Sequence, residues 1–369
     1  MTVEKRNINR EFYPLTITAV QSLTQDAIMV SFDIPEKLQA CFHYQQGQYI
    51  TLKTTIDGVD VRRPYSICSN DDEQKIRVAI KRIHHGCFSS FAHEHFTKGM
   101  TLEVQPPQGN FYTPLVADHK KHYLFIAVGS GITPIISNIE SILLSESQAH
   151  VTLLYGNGTT RSMMFKEKLS FIKNKYLSRF QWVNVFSQEE QNLAVLNGRL
   201  STEKLVALHD VGIIDLSDFD HAFICGPQMM AKDMIDAFKF WQWSADRIHA
   251  ELFFSADGQA AKQAYLNKRQ ENMQGATTNL AVTLAGRKTL IASSSVNETI
   301  LDIAMQQGLD LPFSCKAGVC ATCKAKLISG EVSMPMAHAL SPEDVARGMV
   351  LTCQAYPLTA DVQVDFDVL

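Results

Sequence analysis

No run of about 18 or more apolar residues interrupts the 369-residue chain, so no segment reads as a membrane-crossing helix. Charge of one sign is also missing. The 34 Lys and Arg stand against 38 Asp and Glu, a net −4, which leaves no basic field for nucleic acid. The opening residues, MTVEKRNINR, are polar and charged where a secretory leader would be apolar. Cysteine is sparse. Four of the eight, Cys41, Cys68, Cys87 and Cys225, are scattered and suggest no disulfide framework, so the chain reads as cytosolic. Internal repeats and low-complexity tracts are absent. What remains is an ordinary globular composition, 46% apolar and 20% charged, long enough for two or three domains.

The other four cysteines are not scattered. Cys315, Cys320 and Cys323 fall within nine residues and Cys353 follows, giving C-x4-C-x2-C-x29-C. That spacing resembles the plant-type ferredoxin pattern for a [2Fe–2S] cluster. Four thiolates must converge on two bridged irons, so three come from one tight loop and the fourth from a separate segment. The small residues between them (Ala317, Gly318, Ala321, Thr322) let the loop wrap closely and aim backbone N–H groups at sulfur. A structural zinc site is the competing reading. Zinc usually draws thiolates as two close pairs, and Cys353 has no cysteine neighbour.

Upstream, residues 10–115 read as all-β. Alternating runs at Pro14–Val20, Ala27–Ile34, Gln48–Thr54, Lys75–Arg82 and Thr101–Gln105, the last before Pro106-Pro107, predict a small antiparallel barrel. One helix is expected near Ser89–Thr97. From 116 to 254 the pattern changes. Tyr123–Val128 is a continuous apolar run, as expected of a strand buried on both faces. A Gly129–Pro134 turn and a helix over Ile135–Leu144 follow it. Strands at Val151–Tyr155, Gln181–Phe186, His221–Cys225 and Ile248–Phe253, with an amphipathic stretch at Met163–Lys175, predict an open parallel sheet flanked by helices.

Residues 255–278 turn polar and read as a linker of roughly two dozen residues. The C-terminal part, 279–369, begins with a hairpin, Leu280–Leu284 and Thr289–Ala292 about Ala285-Gly286-Arg287. Asn297 is expected to cap a helix running to Gln307, with Gly308 as its stop. Strand Ala325–Ile328, a Ser341-capped turn, and strands through Leu351–Cys353 and Val362–Phe366 complete it.

Six motifs carry chemistry upstream of the cysteines. Arg62-Arg63-Pro64-Tyr65-Ser66, led in by Gly47-Gln48-Tyr49 and expected just after a strand, resembles the flavin motif of the ferredoxin–NADP reductase superfamily. Arg63 suits a flavin phosphate, Tyr65 offers a ring to stack, and Ser66 offers a hydroxyl to the flavin N5. As a bare motif it is equally a surface hairpin. The second flavin element of the superfamily is a glycine turn opening a helix. The stretch Ile80–Ser89, with Ile80 and Lys81 among the cofactor-binding candidates, resembles it: Gly86 and Ser89 match its G-x-x-S, with His85 where glycine is frequent and Cys87 where arginine is frequent. His84 and His85 sit beside Cys87, but tandem spacing points them apart, against a metal role.

Gly129, Gly131, Thr133 and Pro134 resemble the superfamily's nicotinamide-nucleotide turn, placed after a buried strand where backbone N–H groups meet a pyrophosphate. A plain strand–helix turn would look similar. Tyr155 and Asn157 end the next strand, where the adenosine ribose is expected. Arg161 just beyond is either a 2′-phosphate ligand that selects NADPH or a solvated charge. No carboxylate lies between Tyr155 and Met164 to repel that phosphate. Cys225-Gly226-Pro227 matches the C-G-P turn of the superfamily, and by resemblance Glu251 lies near the nicotinamide and Phe253 near the flavin. Ser66, Cys225 and Glu251 are thus the catalytic candidates.

The order flavin barrel, nucleotide domain, C-terminal ferredoxin resembles one branch of oxygenase reductases within that superfamily. The resemblance runs from about residue 10 to 368 and includes Ser162–Phe165 and Phe223–Pro227. It implies a multidomain fold: an antiparallel β-barrel, an α/β parallel-sheet domain, and an α+β, ferredoxin-like β-grasp domain. It also implies FAD (or FMN), a 2Fe-2S cluster and NADPH (or NADH). Electrons from the nucleotide would pass through flavin and cluster to a multi-subunit oxygenase, of di-iron kind by the resemblance. Sister reductases serve hybrid-cluster proteins, fatty-acid desaturases and other hydroxylases. A redox sensor or a zinc-stapled binding module is the alternative of another class.

Overall fold

The computed structural model describes residues 11–70, 75–253, 265–267, 278–294 and 297–368. The chain divides into two compact units, Met1–Phe253 and Phe254–Leu369. Most of the predicted 255–278 linker lies outside the described residues, and Thr278 already begins a strand.

In the first unit, β1 (Tyr13–Thr24), β2 (Ala27–Asp33), β3 (Tyr49–Ile56), β4 (Val59–Ser66), β5 (Lys75–Lys81) and β6 (Thr101–Gln108) pair antiparallel in the order β4-β3-β6-β1-β2-β5. A bridge between Ile67 and Val78 joins the two ends and closes the barrel. Alternation drives this: Leu15 and Ile17, Val30 and Phe32, Ile50 and Leu52, Ile76, Val78 and Ile80 all point into one core. The β3–β4 turn is Asp57-Gly58, with φ of 50° and 77°, the geometry that matches strand twist in a two-residue hairpin.

Two predictions shift here. Strand β6 runs on through Pro106 and Pro107 instead of stopping before them. Its pairing with β1 ends at Val104, and its pairing with β3 is irregular between Tyr49 and Thr51, so the missing N–H groups fall where the ladder is already broken. Arg62–Ser66 lies inside β4 and not after a strand. The expected barrel helix is Cys87–His95, two residues earlier than predicted, because Gly86 is extended and serves as its N-cap, and a second, one-turn helix at Gln39–Phe42 was not predicted.

The same unit carries five parallel strands, β7 (His122–Val128), β8 (His150–Asn157), β9 (Phe180–Phe186), β10 (His221–Pro227) and β11 (Ile248–Phe253), in the order β11-β10-β7-β8-β9. Tyr123–Ala127 are fully buried, each large side chain contributing about 1.5–3 kcal/mol of burial. Helix Ile132–Ser145 starts three residues before the predicted one, directly from a single turn at Gly129–Gly131. Strand order reverses between β7 and β10, and in open α/β sheets ligands bind outside the strand ends at such a reversal.

The second unit holds β12 (Thr278–Leu284), β13 (Arg287–Ser293), β14 (Lys324–Ser329), β15 (Val332–Ser333), β16 (Met349–Leu351), β17 (Tyr356–Pro357) and β18 (Asp361–Asp365). Its main sheet runs β13-β12-β18-β14-β16, with β12 and β18 parallel, and helix Ile300–Gln306 contributes to its core. Thr299, not Asn297, caps that helix: its hydroxyl accepts from the Asp302 N–H at 3.1 Å and donates to the Asp302 carboxylate at 2.7 Å. Ser341 caps Pro342–Ala346 as predicted. Cys353 lies past the end of β16, in the turn that follows, and not within a strand.

Candidate active site and cluster loop

Three of the candidates meet where the barrel abuts the parallel sheet. Ser66, the last residue of β4, donates to Glu251 Oε1 at 2.9 Å. Glu251 pairs in register with Cys225 across β10 and β11. Glu251 is half-buried, and desolvation of its carboxyl pushes it up to about 7 against the opposing Ser66 hydrogen bond. Burial, then the nearby Glu251, push the Cys225 thiol up as well, so it stays a neutral thiol. A carboxyl that titrates near neutrality beside a hydroxyl and a protonated thiol can hold or move a proton.

Glycine creates this closeness. A Cβ on Gly131 would sit 2.1 Å from the Cys225 carbonyl oxygen, and one on Gly226 would sit 3.0 Å from Val128 Cβ. The two predicted nucleotide motifs therefore converge at the strand-order reversal. Cys225–Pro227 is the paired end of β10 and not a turn, with Pro227 opposite Phe253.

Arg63 and Tyr65 are half-buried on β4. The Arg63 guanidinium donates to the Arg62 carbonyl at 2.7 Å, while Arg62 turns inward over the Phe12 ring. Tyr65 leans on Phe88 at 5.6 Å, and burial raises its phenol above the ordinary value. In the second flavin element, the Ser89 hydroxyl is used within its own turn, accepting from Ile83 N–H at 3.0 Å and donating to Gly86 O at 3.4 Å. Lys81 is paired with Asp26 at 3.4 Å, the Ile80 side chain is buried, and Cys87 is exposed. His84 and His85 do not diverge. Left-handed backbone at His85 (φ 59°) folds its ring back to 3.8 Å from that of His84.

At the nucleotide end, Tyr155 is fully buried, and its hydroxyl donates to the Gly129 carbonyl at 3.1 Å. It braces the left-handed glycine turn (φ +57°) from inside, so it is not presented to a ribose as predicted. Thr133 and Pro134 are buried in the first turn of their helix, Asn157 is buried at the end of β8, and Arg161 is exposed. Sequence reasoning missed Glu189. Thr160 donates its backbone N–H (2.7 Å) and hydroxyl (2.6 Å) to this carboxylate, which those bonds and the Lys166 and Arg161 charges hold below its ordinary range. A carboxylate thus stands beside Arg161 after all, brought from beyond β9.

In the second unit the cysteine loop bends through three left-handed residues, Lys316 (φ 53°), Gly318 (φ 74°) and Ala321 (φ 54°). Ala317 N–H points at Cys315 Sγ, 3.3 Å away. The Cys315 thiol lies within hydrogen-bonding reach of Cys320 and Cys353, which holds it below its ordinary range, and Cys353 reaches Cys323 in turn. Thr352 ties its own segment to the loop through the Cys323 carbonyl. Cys323 and Cys353 are buried, and Cys315 and Cys320 partly so. Four converging thiols with backbone N–H donors aimed at sulfur fit a [2Fe–2S] centre.

Comparison with known proteins agrees with this arrangement. Residues 14–112 match the oxidoreductase FAD-binding domain family, 125–236 the oxidoreductase NAD-binding domain family, and 282–358 the 2Fe-2S iron-sulfur cluster binding domain family. The chain belongs to the oxygenase reductases of ferredoxin–NADP reductase build, NAD(P)H-dependent oxidoreductases that use FAD and a 2Fe-2S cluster. Among its relatives is one component of the 1,2-phenylacetyl-CoA epoxidase of Escherichia coli (strain K12), 43% identical over 96% of this chain and 98% of that one. The ferredoxin reductase component of the 3-ketosteroid-9-alpha-monooxygenase of Rhodococcus rhodochrous is 33% identical, covering 95% of this chain and 96% of that one. Phthalate dioxygenase reductase shares the fold at a TM-score of 0.60 and 20% identity, over 96% of this chain and 98% of that structure. Membership in this family sets aside the sensor and zinc-module readings. No helix among the described residues is long and apolar enough to cross a membrane.

Proposed function

We propose that this chain is the reductase component of a monooxygenase that epoxidises the ring of phenylacetyl-CoA in phenylacetate degradation. The observation that carries this reading is the 43% identity with the E. coli epoxidase component along almost the whole of both chains. The oxygenase is a multi-subunit di-iron enzyme on this reading. The domains run 10–115 for flavin, 116–254 for nucleotide and, after the linker, from the strand that begins at Thr278 to 369 for the cluster.

FAD, when bound, would supply the chemistry that converts a two-electron hydride into single electrons for the cluster. The chain's own residues position and insulate. Arg63 would hold the flavin phosphate, Pro64 and Tyr65 would flank its ring, and Ile80, Lys81, Gly86, Cys87 and Ser89 would receive the pyrophosphate. Gly129, Gly131, Thr133, Pro134, Gly226 and Pro227 let the nucleotide approach, and Asn157 and Arg161 receive its adenosine end. Ser66, Cys225 and Glu251 line the point of transfer, where Glu251 holds a proton near neutral pH. Phe253 covers the flavin. Cys315, Cys320, Cys323 and Cys353 ligate the cluster.

Reconstitution tests the client. The purified chain is combined with the oxygenase components of the epoxidase and NADPH, and conversion of phenylacetyl-CoA is followed. Turnover that matches NADPH consumption supports the assignment. Uncoupled NADPH oxidation, with coupling to a steroid hydroxylase instead, would move the client to the chemistry of the 33% identical relative.

A further inference from the structure

Gln354 follows the fourth cysteine and is fully buried. Its Nε2 lies 2.9 Å from the Lys316 carbonyl oxygen and 3.8 Å from Cys353 Sγ. Lys316 belongs to the three-cysteine loop, so one carboxamide bridges both segments that carry the thiols. The orientation of the amide is fixed by chemistry. Turning it over would set Oε1 against the Lys316 carbonyl, acceptor against acceptor. Lys316 adopts a left-handed conformation unusual for a lysine, and Gly318 leaves the room Gln354 needs: a Cβ there would lie 3.0 Å from Gln354 Cγ. Gln354 Oε1 is buried with no hydrogen-bond partner among the described residues. A leucine would fill this space without that cost, so the amide is retained for its N–H groups.

We propose that Gln354 is a positioning residue for the cluster: one N–H clasps the Lys316 carbonyl and the other is donated to Cys353 Sγ, raising the reduction potential. An N–H aimed at a ligating sulfur stabilises the extra negative charge of the reduced state. Loss of the clasp leaves the flavin unit and its reduction by NADPH untouched. This inference rests on the four cysteines holding the cluster, and iron content reports on that assumption separately.

The test compares wild type, Gln354→Leu and Gln354→Glu as full-length holoprotein in redox titrations read by electron paramagnetic resonance. With iron content preserved, Gln354→Leu shifts the reduction equilibrium about tenfold toward the oxidised form, about 59 mV for one electron. Gln354→Glu shifts it further in the same direction, because a carboxylate then faces sulfur. Unchanged potential and g-values in a loaded Gln354→Leu would overturn the proposal. A second measurement needs no variant. Wild-type protein carrying [amide-15N]glutamine shows a 15N coupling to the reduced cluster in pulsed resonance, and the absence of that coupling would equally overturn it.

Discussion

Ser66 and Glu251, 185 residues apart, are joined by a 2.9 Å hydrogen bond that runs from the last residue of a barrel strand to the edge strand of the parallel sheet. It links the flavin half of the first unit to the nucleotide half. The Glu251 carboxyl also bears on stability, because desolvation lifts it to about 7 from an ordinary value near 4.5 against the pull of that bond. A raised carboxyl favours the folded state's proton. The folded chain binds more protons than the unfolded chain between those two values, so stability falls as pH rises across that window and levels off above it. Glu251→Gln should remove the slope: its melting temperature matches wild type near pH 4.5 and exceeds it at pH 8. A parallel pair of curves would mean that Glu251 is ionised throughout.

How much of this was legible in the chain depended on how local each signal was. The cysteine loop and the apolar strand Tyr123–Val128 are written in contiguous residues and stand where the sequence placed them, whereas the turn expected over Gly129–Pro134 ends at Gly131, where the helix begins. Features assembled across the fold were not legible. Glu189 reaches Thr160 from 29 residues away, and Gln354 reaches Lys316 from 38. Tyr155 carried the signature of a strand end facing ligand, yet its ring is in the core, because the braced carbonyl of Gly129 lies beneath the turn. Thr299 outcompeted Asn297 as a cap because it stands three residues before Asp302, completing a reciprocal bond that Asn297 cannot reach.

Gly131 gives the sharpest steric prediction. An added methyl would lie 2.1 Å from the Cys225 carbonyl oxygen, which is backbone and cannot rotate away. Gly131→Ala should therefore cost about 1–3 kcal/mol of overpacking. The separation of β7 and β10 at the strand-order reversal should also raise the KM for the nucleotide. Thermal melting followed by flavin fluorescence, together with steady-state kinetics, checks both; wild-type values would show that the Gly129–Gly131 turn and the end of β10 are not in contact.

The division into two units predicts separable losses. Cys320→Ser or Cys353→Ser should strip or destabilise the 2Fe-2S centre while NAD(P)H still reduces artificial two-electron acceptors through the flavin. Iron content, the visible spectrum and acceptor reduction measured side by side decide it. Loss of both activities in a folded variant would count against the relay order from nucleotide through flavin to cluster.

Nucleotide choice turns on two opposed charges. Arg161 is exposed just past the β8 strand end, and a 2′-phosphate carries most of two negative charges that an arginine can bind bidentately. Glu189 stands against that phosphate, held as a carboxylate by Thr160 and flanked by Arg161 and Lys166. Arg161 and Lys166 together outweigh that single carboxylate, so NADPH should be preferred over NADH. Arg161→Ala should raise the KM for NADPH by about tenfold or more, at least ~1.4 kcal/mol, and leave NADH nearly unchanged. Glu189→Gln keeps an acceptor for Thr160 but removes the charge, so the KM for NADPH should fall several-fold with NADH again unaffected. Steady-state kinetics with both nucleotides on the three proteins separate the cases. Equal changes for NADPH and NADH would place Arg161 at the pyrophosphate and reduce Glu189 to a brace for the Thr160–Ser162 turn.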